Sequence, residues 1–220
     1  MVLNCDTRFT GNTRVAVEGV VIDTEGNAIE GAEISTYTSR TTGTFLAPGP
    51  TGSNEFLLGR NYSNVNGNFS VVSLFDDGLD IEIIAGEDYS RYVYASYGRD
   101  FVPLNNIFYL EDVTLNKLAL VNYNISRTSG EGNVISFTLN YRDPDCRLVY
   151  IDGVLNEEES NCNSTNFLTR TLNDNVSDIE GSLSTIVGST LEFVYAVNGA
   201  PEITETFSVD DSNFQFNFTY

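Results

Sequence analysis

The sequence predicts an all-β protein with two consecutive β-sandwich domains. Short apolar or alternating runs recur along the chain, and segments rich in Gly, Asn, Ser and Thr separate them, as turns separate strands. Helix formers such as Lys, Gln and Met are scarce. With 220 residues, the chain suits one large domain or two ordinary ones, each able to bury a core.

The first predicted hairpin carries the most informative pattern of the chain. Residues 17–22 are mainly β-branched and predict a buried strand, whereas residues 23–27 concentrate turn formers around Gly26, which can take a positive φ. Ala32 and Ile34 then return to the core. This stretch predicts the hairpin that organises the first domain.

The hairpin resembles the opening of the carboxypeptidase regulatory-like (transthyretin-like) β-sandwich, whose pattern is roughly V-x-G-x-V-x-D-x-x-G-x-x-I-x-G-A-x-I. Every fixed position of that pattern is filled between Val17 and Ile34. The family's later signature, a turn followed by G-x-F and a strand, matches Ser63–Val71 through Gly67 and Phe69. The resemblance covers roughly the first half of the chain.

The resemblance implies a β-sandwich over residues 14–117, preceded at residues 1–13 by a tether or lipoprotein N-terminus. Members of the family are structural and binding modules on many unrelated proteins. In the metallocarboxypeptidases such a module accompanies a separate catalytic domain with His and Glu zinc ligands, and that domain is missing here. The resemblance therefore implies no peptidase activity.

Alternating apolar residues predict the strands of the first domain at 14–22, 32–39, 68–74, 79–85, 92–97 and 107–115. Residues 40–60 lose this periodicity and predict a Gly/Pro/Thr-rich insertion, a kind of segment that is usually functional or disordered in a compact domain. Phe45, Leu46, Phe56 and Leu57 make it less polar than a linker. We expect the insertion either to bind a partner or to cap the end of the core.

Residues 118–220 predict a second sandwich, immunoglobulin- or fibronectin-like. Its seven short strands are expected at 120–126, 134–141, 147–151, 166–172, 191–197, 203–209 and 213–220. Residues 178–187 are the one stretch where a short helix competes, and its structure stays open. The chain has no Trp, and its cysteine spacing is too short for the immunoglobulin inter-sheet bridge. We therefore predict the sandwich architecture rather than immunoglobulin membership.

Two of the three cysteines flank an acidic, Asn-rich loop. We predict a Cys146–Cys162 disulfide, which would stabilise the fold by about 3 kcal/mol in the loop-entropy model and indicates an oxidising compartment. Cys5 follows a short apolar stretch that resembles a bacterial lipobox, although Asn4 replaces the usual small residue and no signal region precedes it. Cys5 is therefore a lipid anchor if the native chain begins earlier, and a free thiol if it does not.

The chain is strongly acidic, with 11 basic and 31 acidic residues and a net charge of −20. Nucleic acids and anionic lipid surfaces are recognised by clusters of Lys and Arg, so the charge excludes both as partners bound in that way. A solvated surface that keeps the chain soluble is the simplest explanation of the charge. No apolar run approaches the roughly 20 residues of a spanning helix.

We predict no enzyme activity and no cofactor. The chain has no His, which excludes His-based nucleophile pairs, His-bearing zinc sites and facial iron triads. Lys117 is the only lysine, so a Ser-Lys dyad or Schiff base would depend on one residue at the domain junction. A carboxylate pair of the glycosidase type is a third functional hypothesis, but the sequence selects no pair. The adjacent carboxylates at 76–80, 143–145, 157–159 and 210–211 lack the spacing of a calcium loop, so only adventitious calcium is expected.

A possible lipid-anchor cysteine followed by a regulatory-like module and a second sandwich resembles lipoproteins of Bacteroidota outer membranes. This resemblance implies a non-catalytic cell-envelope lipoprotein, anchored through Cys5, that acts as an accessory or scaffold subunit of an outer-membrane complex for transport, assembly or secretion. Its expected partners are other subunits of that complex. The expected location is the outer membrane, at the cell surface or on the periplasmic face.

The alternative hypothesis is a surface glycan- or peptide-binding protein that serves a nutrient importer. Sugar rings pack against exposed aromatic faces, and the candidates are Tyr62, Tyr89, Tyr92, Tyr94 and Tyr97. Tyr92 and Tyr94 are predicted to share one face of a strand. Because a Tyr on a strand is usually a half-buried core residue, an exposed platform of these side chains is the feature that distinguishes this hypothesis.

Overall fold

The computed structural model of the protein describes residues 13–42, 52–75, 78–98 and 101–220. These ranges confirm the predicted all-β class: they hold strands joined by turns and a 3₁₀ turn at Leu104–Asn106. In this part of the chain, no helix has the length and hydrophobicity to cross a bilayer. The strands are β1 Thr13–Asp23, β2 Glu33–Thr42, β3 Gly52–Tyr62, β4 Asn68–Phe75, β5 Gly78–Ile84, β6 Tyr92–Tyr97, β7 Ile107–Leu115, β8 Leu118–Ser126, β9 Ile135–Arg142, β10 Cys146–Ile151, β11 Val154–Leu155, β12 Asn161–Cys162, β13 Thr165–Leu172, β14 Ile179–Ile186, β15 Ser189–Val197, β16 Ile203–Val209 and β17 Asn213–Thr219.

The chain divides into two compact units. The first holds the described residues of 1–86 with 91–115 and 146–161, and the second holds 87–90, 116–145 and 162–220. The predicted division at residue 117 cuts the chain once, whereas the structure assigns the later segment 146–161 to the first unit. The reason is that β10 pairs in parallel with β6, from Cys146 opposite Tyr92 to Ile151 opposite Tyr97.

The first unit is a sandwich of two sheets. The smaller sheet has the strand order β4-β1-β7, and the larger has the order β11-β10-β6-β5-β2-β3, with β12 also paired to β10. Inward-facing residues alternate along each strand, as in β1, where Val15, Val17 and Val21 are buried. Ile34 and Ile81 of the larger sheet are fully buried as well. The core therefore lies between the two sheets.

Two glycine-containing turns give the first unit its strand connections. After β1, the Asp23 carboxylate accepts a hydrogen bond from the Asn27 backbone N–H at 2.8 Å, and Gly26 has a φ of +82°. Before β4, Gly67 has a φ of +75°, and a Cβ there would lie 2.4 Å from the carbonyl oxygen of Val21. Both turns lie where the sequence predicts them. At Gly67, a side chain is excluded for two reasons: it would clash with the Val21 backbone, and the positive φ disfavours residues other than glycine.

The predicted insertion at 40–60 is wrong at both ends, since residues 40–42 continue β2. Residues 52–60 belong to β3, which pairs antiparallel with β2 and places Phe56 opposite Thr38. β3 is an edge strand, and its backbone hydrogen bonds are made to β2 on one side. A segment that contains Gly and Ser and lacks apolar periodicity can therefore still form an edge strand. Gly59 permits a close approach to β4, because a Cβ there would lie 2.5 Å from the carbonyl oxygen of Val72.

The two sheets of the first unit are joined along one side and diverge along the other. On the joined side, the Thr36 hydroxyl of β2 donates to the Ser73 hydroxyl of β4 at 2.9 Å. The Asn61 side chain of β3 donates to the carbonyl of Ser70 on β4 at 2.6 Å. On the other side, β7 ends the smaller sheet while the larger sheet continues past β6 into β10 and β11.

The second unit is also a two-sheet sandwich, with the orders β13-β9-β15-β16 and β14-β8-β17. An aromatic cluster fills its core around Phe193, which is fully buried. The ring centroid of Phe193 lies 4.9 Å from those of Phe216 and Phe218 and 4.8 Å from that of Tyr195. Phe216 and Phe218 belong to β17, so the last strand closes the core.

Both units have the same strand order. In each, the first strand lies between the fourth and the seventh of the sandwich, and the second, third, fifth and sixth form the other sheet. The first strand pairs antiparallel with the fourth and parallel with the seventh in both. The predicted sandwich architecture is confirmed, and its order differs from the ABED and CFG sheets of an immunoglobulin constant domain.

Two segments of the predicted second domain need comment: residues 178–187, whose structure the sequence leaves open, and the strand predicted at 147–151. Residues 179–186 form β14, whose buried residues are Leu183 and Thr185, and no helix occurs there. β14 is the strand that completes the second sandwich. The strand that the sequence predicts at 147–151 is present as β10, but it extends the first unit instead.

The predicted disulfide is present. Cys146 and Cys162 are both disulfide-bonded, and in a chain with three cysteines they can only be bonded to each other. The bond therefore ties together the two ends of the segment that carries β10 and β11.

Candidate functional site

The residues of the predicted partner-binding loop are not brought together in the described part of the structure. Cys5, Phe45 and Leu46 lie outside the described residues. Phe56 and Leu57 are neighbours on β3, where Phe56 is half-buried and Leu57 is exposed. Partner binding by these residues stays a prediction.

The acidic clusters lie in separate turns and loops. Residues 143–145 precede β10, residues 157–159 follow β11, and residues 210–211 precede β17. Residues 76 and 77 lie outside the described ranges. Within those ranges, no group of three or more His, Cys, Asp or Glu side chains is placed to hold a metal ion.

The first unit contains a cleft that the sequence reasoning did not predict as a whole. It has a volume of about 300 Å³ and is lined by Tyr92, Tyr94, Tyr109, Leu110, Glu111 and Tyr150. These residues come from β6, β7 and β10, which are distant in the sequence. We call this cavity the tyrosine cleft.

The cleft exists because the larger sheet extends beyond the smaller one. Tyr92 and Tyr94 pair with the fully buried Ile83 and Ile81 of β5, so their side chains are on the inner face of the larger sheet. Tyr150 is on the same face of β10, since its neighbour in the pairing is Ser96. The prediction that Tyr92 and Tyr94 share a face is confirmed. The edge strand β7 then forms the opposite wall.

The aromatic rings of the cleft pack mainly on one another. The Tyr94 and Tyr150 rings are stacked, with centroids 4.5 Å apart and an interplanar angle of 21°. Phe108 meets Tyr94 edge-on, with centroids 6.2 Å apart. In contrast, the hydroxyl groups of Tyr92, Tyr94 and Tyr150 make no hydrogen bond to any other described residue. The cleft therefore offers phenol hydroxyls, rather than open ring faces, to a ligand.

Burial controls the ionisation of the Tyr92 and Tyr94 phenols. Burial, with a smaller contribution from Tyr150, raises the pKa of Tyr94 to about 12. Burial likewise raises the pKa of Tyr92 well above its usual range, with Tyr150 and Tyr94 adding to the effect. Both groups are thus neutral at physiological pH, and each can donate one hydrogen bond and accept another.

A β-bulge shapes the wall of the cleft. Leu110 and Glu111 of β7 oppose the single residue Gly19 of β1, and Glu111 has a φ of +53°. A Cβ on Gly19 would lie 3.0 Å from the Glu111 carbonyl oxygen and 2.9 Å from the Phe69 ring. Bulges re-aim side chains and are frequent beside functional sites, and a non-Gly residue at positive φ is strained. Here the bulge places Glu111 among the residues that line the cleft.

Exposed apolar side chains border the same part of the first unit. Leu104 is 87% exposed and lies three residues before β7, and Val154 is 69% exposed on β11. The β10–β11 turn lies against the segment before β7, since a Cβ on Gly153 would be 2.3 Å from the Phe101 ring. We call Leu104, Tyr109 and Val154 the apolar rim. Of these three, Tyr109 lines the cleft, Val154 pairs with Ile151, which follows Tyr150, and Leu104 is five residues before Tyr109 in the chain. Exposed apolar groups are typical of an interaction site.

Three tyrosines of the glycan hypothesis lie outside the cleft lining: Tyr62, Tyr97 and Tyr89, which is half-buried and forms a β-bridge with Lys117. Tyr97 is on the opposite face of β6 from Tyr94, where its hydroxyl contacts Asp80 Oδ1 at 3.2 Å and accepts from Arg147 at 3.0 Å. Tyr62 is on β3 and donates to Glu33 at 3.2 Å. Burial raises the pKa of the Asp80 carboxyl, an effect opposed by the hydrogen bond from Tyr97. These contacts indicate structural roles for Tyr62 and Tyr97.

Sequence reasoning missed Tyr109, Glu111 and Tyr150. Tyr109 and Tyr150 each lie in a segment that alternation correctly predicts as a strand. Nothing in the local pattern shows that β10 pairs with β6 or that β7 carries a bulge. The positive φ of Glu111 has no signal in its residue type.

No protein-family model and no curated protein matches this chain. Among solved structures, it is similar to a 9R-lipoxygenase from Cyanothece PCC8801, with 15% identity over 46% of this chain and a TM-score of 0.29. It is similar to the TIE protein of Bacillus anthracis, with 13% identity over 95% of this chain and a TM-score of 0.33. It is also similar to the shaft pilin SpaA of Lactobacillus rhamnosus GG, with 8% identity over 94% of this chain and 98% of the pilin and a TM-score of 0.32.

The chain spans only 16% of the lipoxygenase and 34% of the TIE protein. These neighbours mix an enzyme with a pilin, and at such low TM-scores they carry no argument about activity. None of them names the carboxypeptidase regulatory-like family or a Bacteroidota lipoprotein. That resemblance therefore stays a prediction from the sequence motifs.

Proposed function

We propose that this protein is a non-catalytic accessory subunit of a cell-envelope complex and that the tyrosine cleft receives an extended segment of its partner. The observation that carries the proposal is the cleft itself, which combines an edge strand with hydroxyl groups that make no hydrogen bond to another described residue. Among the strands that the structure describes, the main chain of β7 pairs with β1 and with no other. An extended segment entering the cleft can pair with β7 and place alternate side chains against the tyrosines and the apolar rim.

The β-bulge at Glu111 determines which part of β7 can pair with a partner strand. Bulges and exposed acids are devices that blunt an edge strand, and both occur at Glu111. Ile107, Phe108 and Tyr109 precede the bulge and have regular pairing with β1, from Ala16 opposite Ile107. We therefore place the partner along Ile107–Tyr109, next to the mouth of the cleft.

The cell-envelope location is supported by the disulfide and by the motif resemblance. Disulfides persist in oxidising compartments, and Cys146–Cys162 is such a bond. The regulatory-like motifs resemble those of Bacteroidota outer-membrane lipoproteins, in which Cys5 would be the lipidated residue. In this proposal the anchor holds the protein at the outer membrane, and the cleft selects the partner subunit.

Binding rather than catalysis is supported by the chemistry of the cleft. Its titratable groups are phenols and a single carboxylate, Glu111. Burial keeps the phenols of Tyr92 and Tyr94 protonated, so they are poor bases at neutral pH. One carboxylate cannot provide the acid and base pair of a glycosidase.

The test is co-purification from native membranes in mild detergent, together with the intact mass. We expect a partner at fixed ratio with the wild-type chain, an acylated Cys5 as the first residue and two hydrogens fewer for the disulfide. Leu104→Asp should release the partner, because it puts a charge on the apolar rim. Val176→Asp is the matched control, since Val176 is an exposed apolar residue of the second unit.

Recovery of the chain alone, with three free thiols and no acylation, would refute the location and the accessory role. Loss of the partner in both variants would show that added charge, and not the rim, disrupts binding. A partner retained by Leu104→Asp would remove the apolar rim from the proposal.

A further inference from the structure

The second unit has a groove on its smaller sheet that is unrelated to the tyrosine cleft. Its volume is about 490 Å³, and it lies across β14, β8 and β17. The outward-facing side chains that line it are Asn122, Asn124, Glu180, Ser182, Gln215 and Asn217. We call these six residues the amide face.

Strand pairing arranges the amide face in two rows. Asn122 of β8 pairs with Ser182 of β14 on one side and with Gln215 of β17 on the other. The second row has Asn124 at its centre, between residues 180 and 217. Adjacent strands are about 4.8 Å apart, so each row presents three polar groups over roughly 10 Å.

The side chains of the amide face are not bonded to one another. None of the six side chains makes a hydrogen bond to another described residue. The outer face of the other sheet of the same unit behaves differently. There, the Ser136 and Thr171 hydroxyls lie 3.1 Å apart, those of Thr138 and Thr169 lie 2.9 Å apart, and Asn140 donates to Glu192 at 2.7 Å. The side chains of the amide face thus remain without hydrogen bonds to described residues, although polar side chains lie opposite one another on adjacent strands.

The residue types on the amide face are costly choices for strands. Asn is depleted in β-strands, and Thr would serve better on a merely solvated outer face. Sequences depart from local preference chiefly at functional sites. Two Asn residues on the central strand, Asn122 and Asn124, and a third on β17, Asn217, are such departures. Their position in one groove indicates a ligand.

The inner side of the same sheet belongs to the core of the second unit. Tyr123 is buried there, and Gly181 is its partner on β14. A Cβ on Gly181 would lie 2.5 Å from the Tyr123 hydroxyl oxygen, so the glycine makes room for this core tyrosine. The side chains that face the groove are therefore the six polar ones of the amide face.

We propose that the amide face binds an uncharged polysaccharide. Each amide offers a donor and an acceptor, which matches hydroxyl groups that both donate and accept. Glu180 is the one ionisable group of the six, and the chain has a net charge of −20, so an anionic ligand would be repelled. The rows repeat along the strands, which fits a linear chain of sugar units. This site is independent of the tyrosine cleft and of the partner proposed for it.

The test is affinity gel electrophoresis of the full chain through gels that contain dextran, laminarin, mannan or carboxymethyl cellulose. At least one of the three neutral polymers should retard the wild-type protein, and the anionic polymer should not. The variant Asn122→Thr/Asn124→Thr should bind at least about tenfold more weakly, because it removes two amide partners. Its thermal midpoint should be unchanged or higher, since Thr suits a strand better than Asn does. Thr206→Val, on the outer face of the other sheet, is the control that should bind normally.

Three results would overturn the proposal: no retardation by any neutral polymer, equal retardation of the wild type and the Thr variant, or stronger retardation by the anionic polymer. Binding of an extended peptide that the Thr variant abolishes, without any polysaccharide binding, would also assign the groove to a protein ligand instead. Because Leu104→Asp leaves the amide face intact, polysaccharide binding should persist in it. Failure of the partner proposal is therefore separable from failure of this one.

Discussion

Removal of the Cys146–Cys162 bond tests how the segment that carries β10 is held. The perturbation is Cys146→Ala/Cys162→Ala, compared with its parent in a shared Cys5→Ser background that prevents thiol exchange. The bond closes a loop of about 16 residues, for which the loop-entropy model gives about 3 kcal/mol. Cys146 is buried, so its truncation adds a smaller loss of packing.

The assay is urea unfolding followed by tyrosine fluorescence, since the chain has 12 Tyr and no Trp. With a slope of about 2 kcal/mol/M, a loss of about 3 kcal/mol lowers the midpoint by about 1.5 M. Reduction of the parent with dithiothreitol should reproduce this shift. A loss below about 1 kcal/mol would refute the reasoning, because pairing of β10 with β6 and the stack of Tyr150 on Tyr94 would then hold the segment without the bond.

The remaining predictions concern turns, core and titration. Gly67→Ala should lower the free energy of unfolding by more than about 2 kcal/mol in urea titrations, because its Cβ would clash with backbone and its φ is positive. The control Gly26→Ala also has a positive φ, but its Cβ would meet nothing within 4 Å, so it should cost only about 1 kcal/mol. Equal losses for the two variants would contradict this reasoning. Phe193→Ala should cost about 3 to 5 kcal/mol, against less than about 0.5 kcal/mol for the exposed Phe167→Ala. Tyr94 should ionise near pH 12 when phenolate absorbance is followed, and Tyr94→Phe should remove the absorbance change of one phenol in that range. Because the folded pKa of Tyr94 is raised above its unfolded value of 10.0, its contribution to stability is complete below pH 10 and is lost as the pH rises towards 12.

Local pattern was enough to predict most strands of both units. The β-branched and alternating segments became β1, β4 and β15 because one face of each is buried. The turns at Gly26 and Gly67 were predictable because each needs a positive φ. The strand β14 could not be predicted in this way, because Gly and Ser interrupt its apolar alternation. Its strand conformation depends on pairing with β8.

The tyrosine cleft could be predicted only in part. That Tyr92 and Tyr94 share a face follows from the period of a strand. Their meeting with Tyr150 depends on a parallel pairing between β6 and β10, about fifty residues apart in sequence. The choice of that pairing is made by tertiary packing, for which no signal exists in either segment alone. The bulge at Glu111 is likewise fixed by the contact with Gly19.

Site-specific photo-crosslinking tests the central claim most directly. A benzoylphenylalanine at position 109 replaces Tyr109, which is 66% exposed at the mouth of the tyrosine cleft. The matched position is Val72, which is 61% exposed on β4, at the other edge of the same sheet. We predict that irradiation in native membranes crosslinks position 109, and not position 72, to one partner protein. Equal crosslinking at both positions, or none at position 109, would contradict the account.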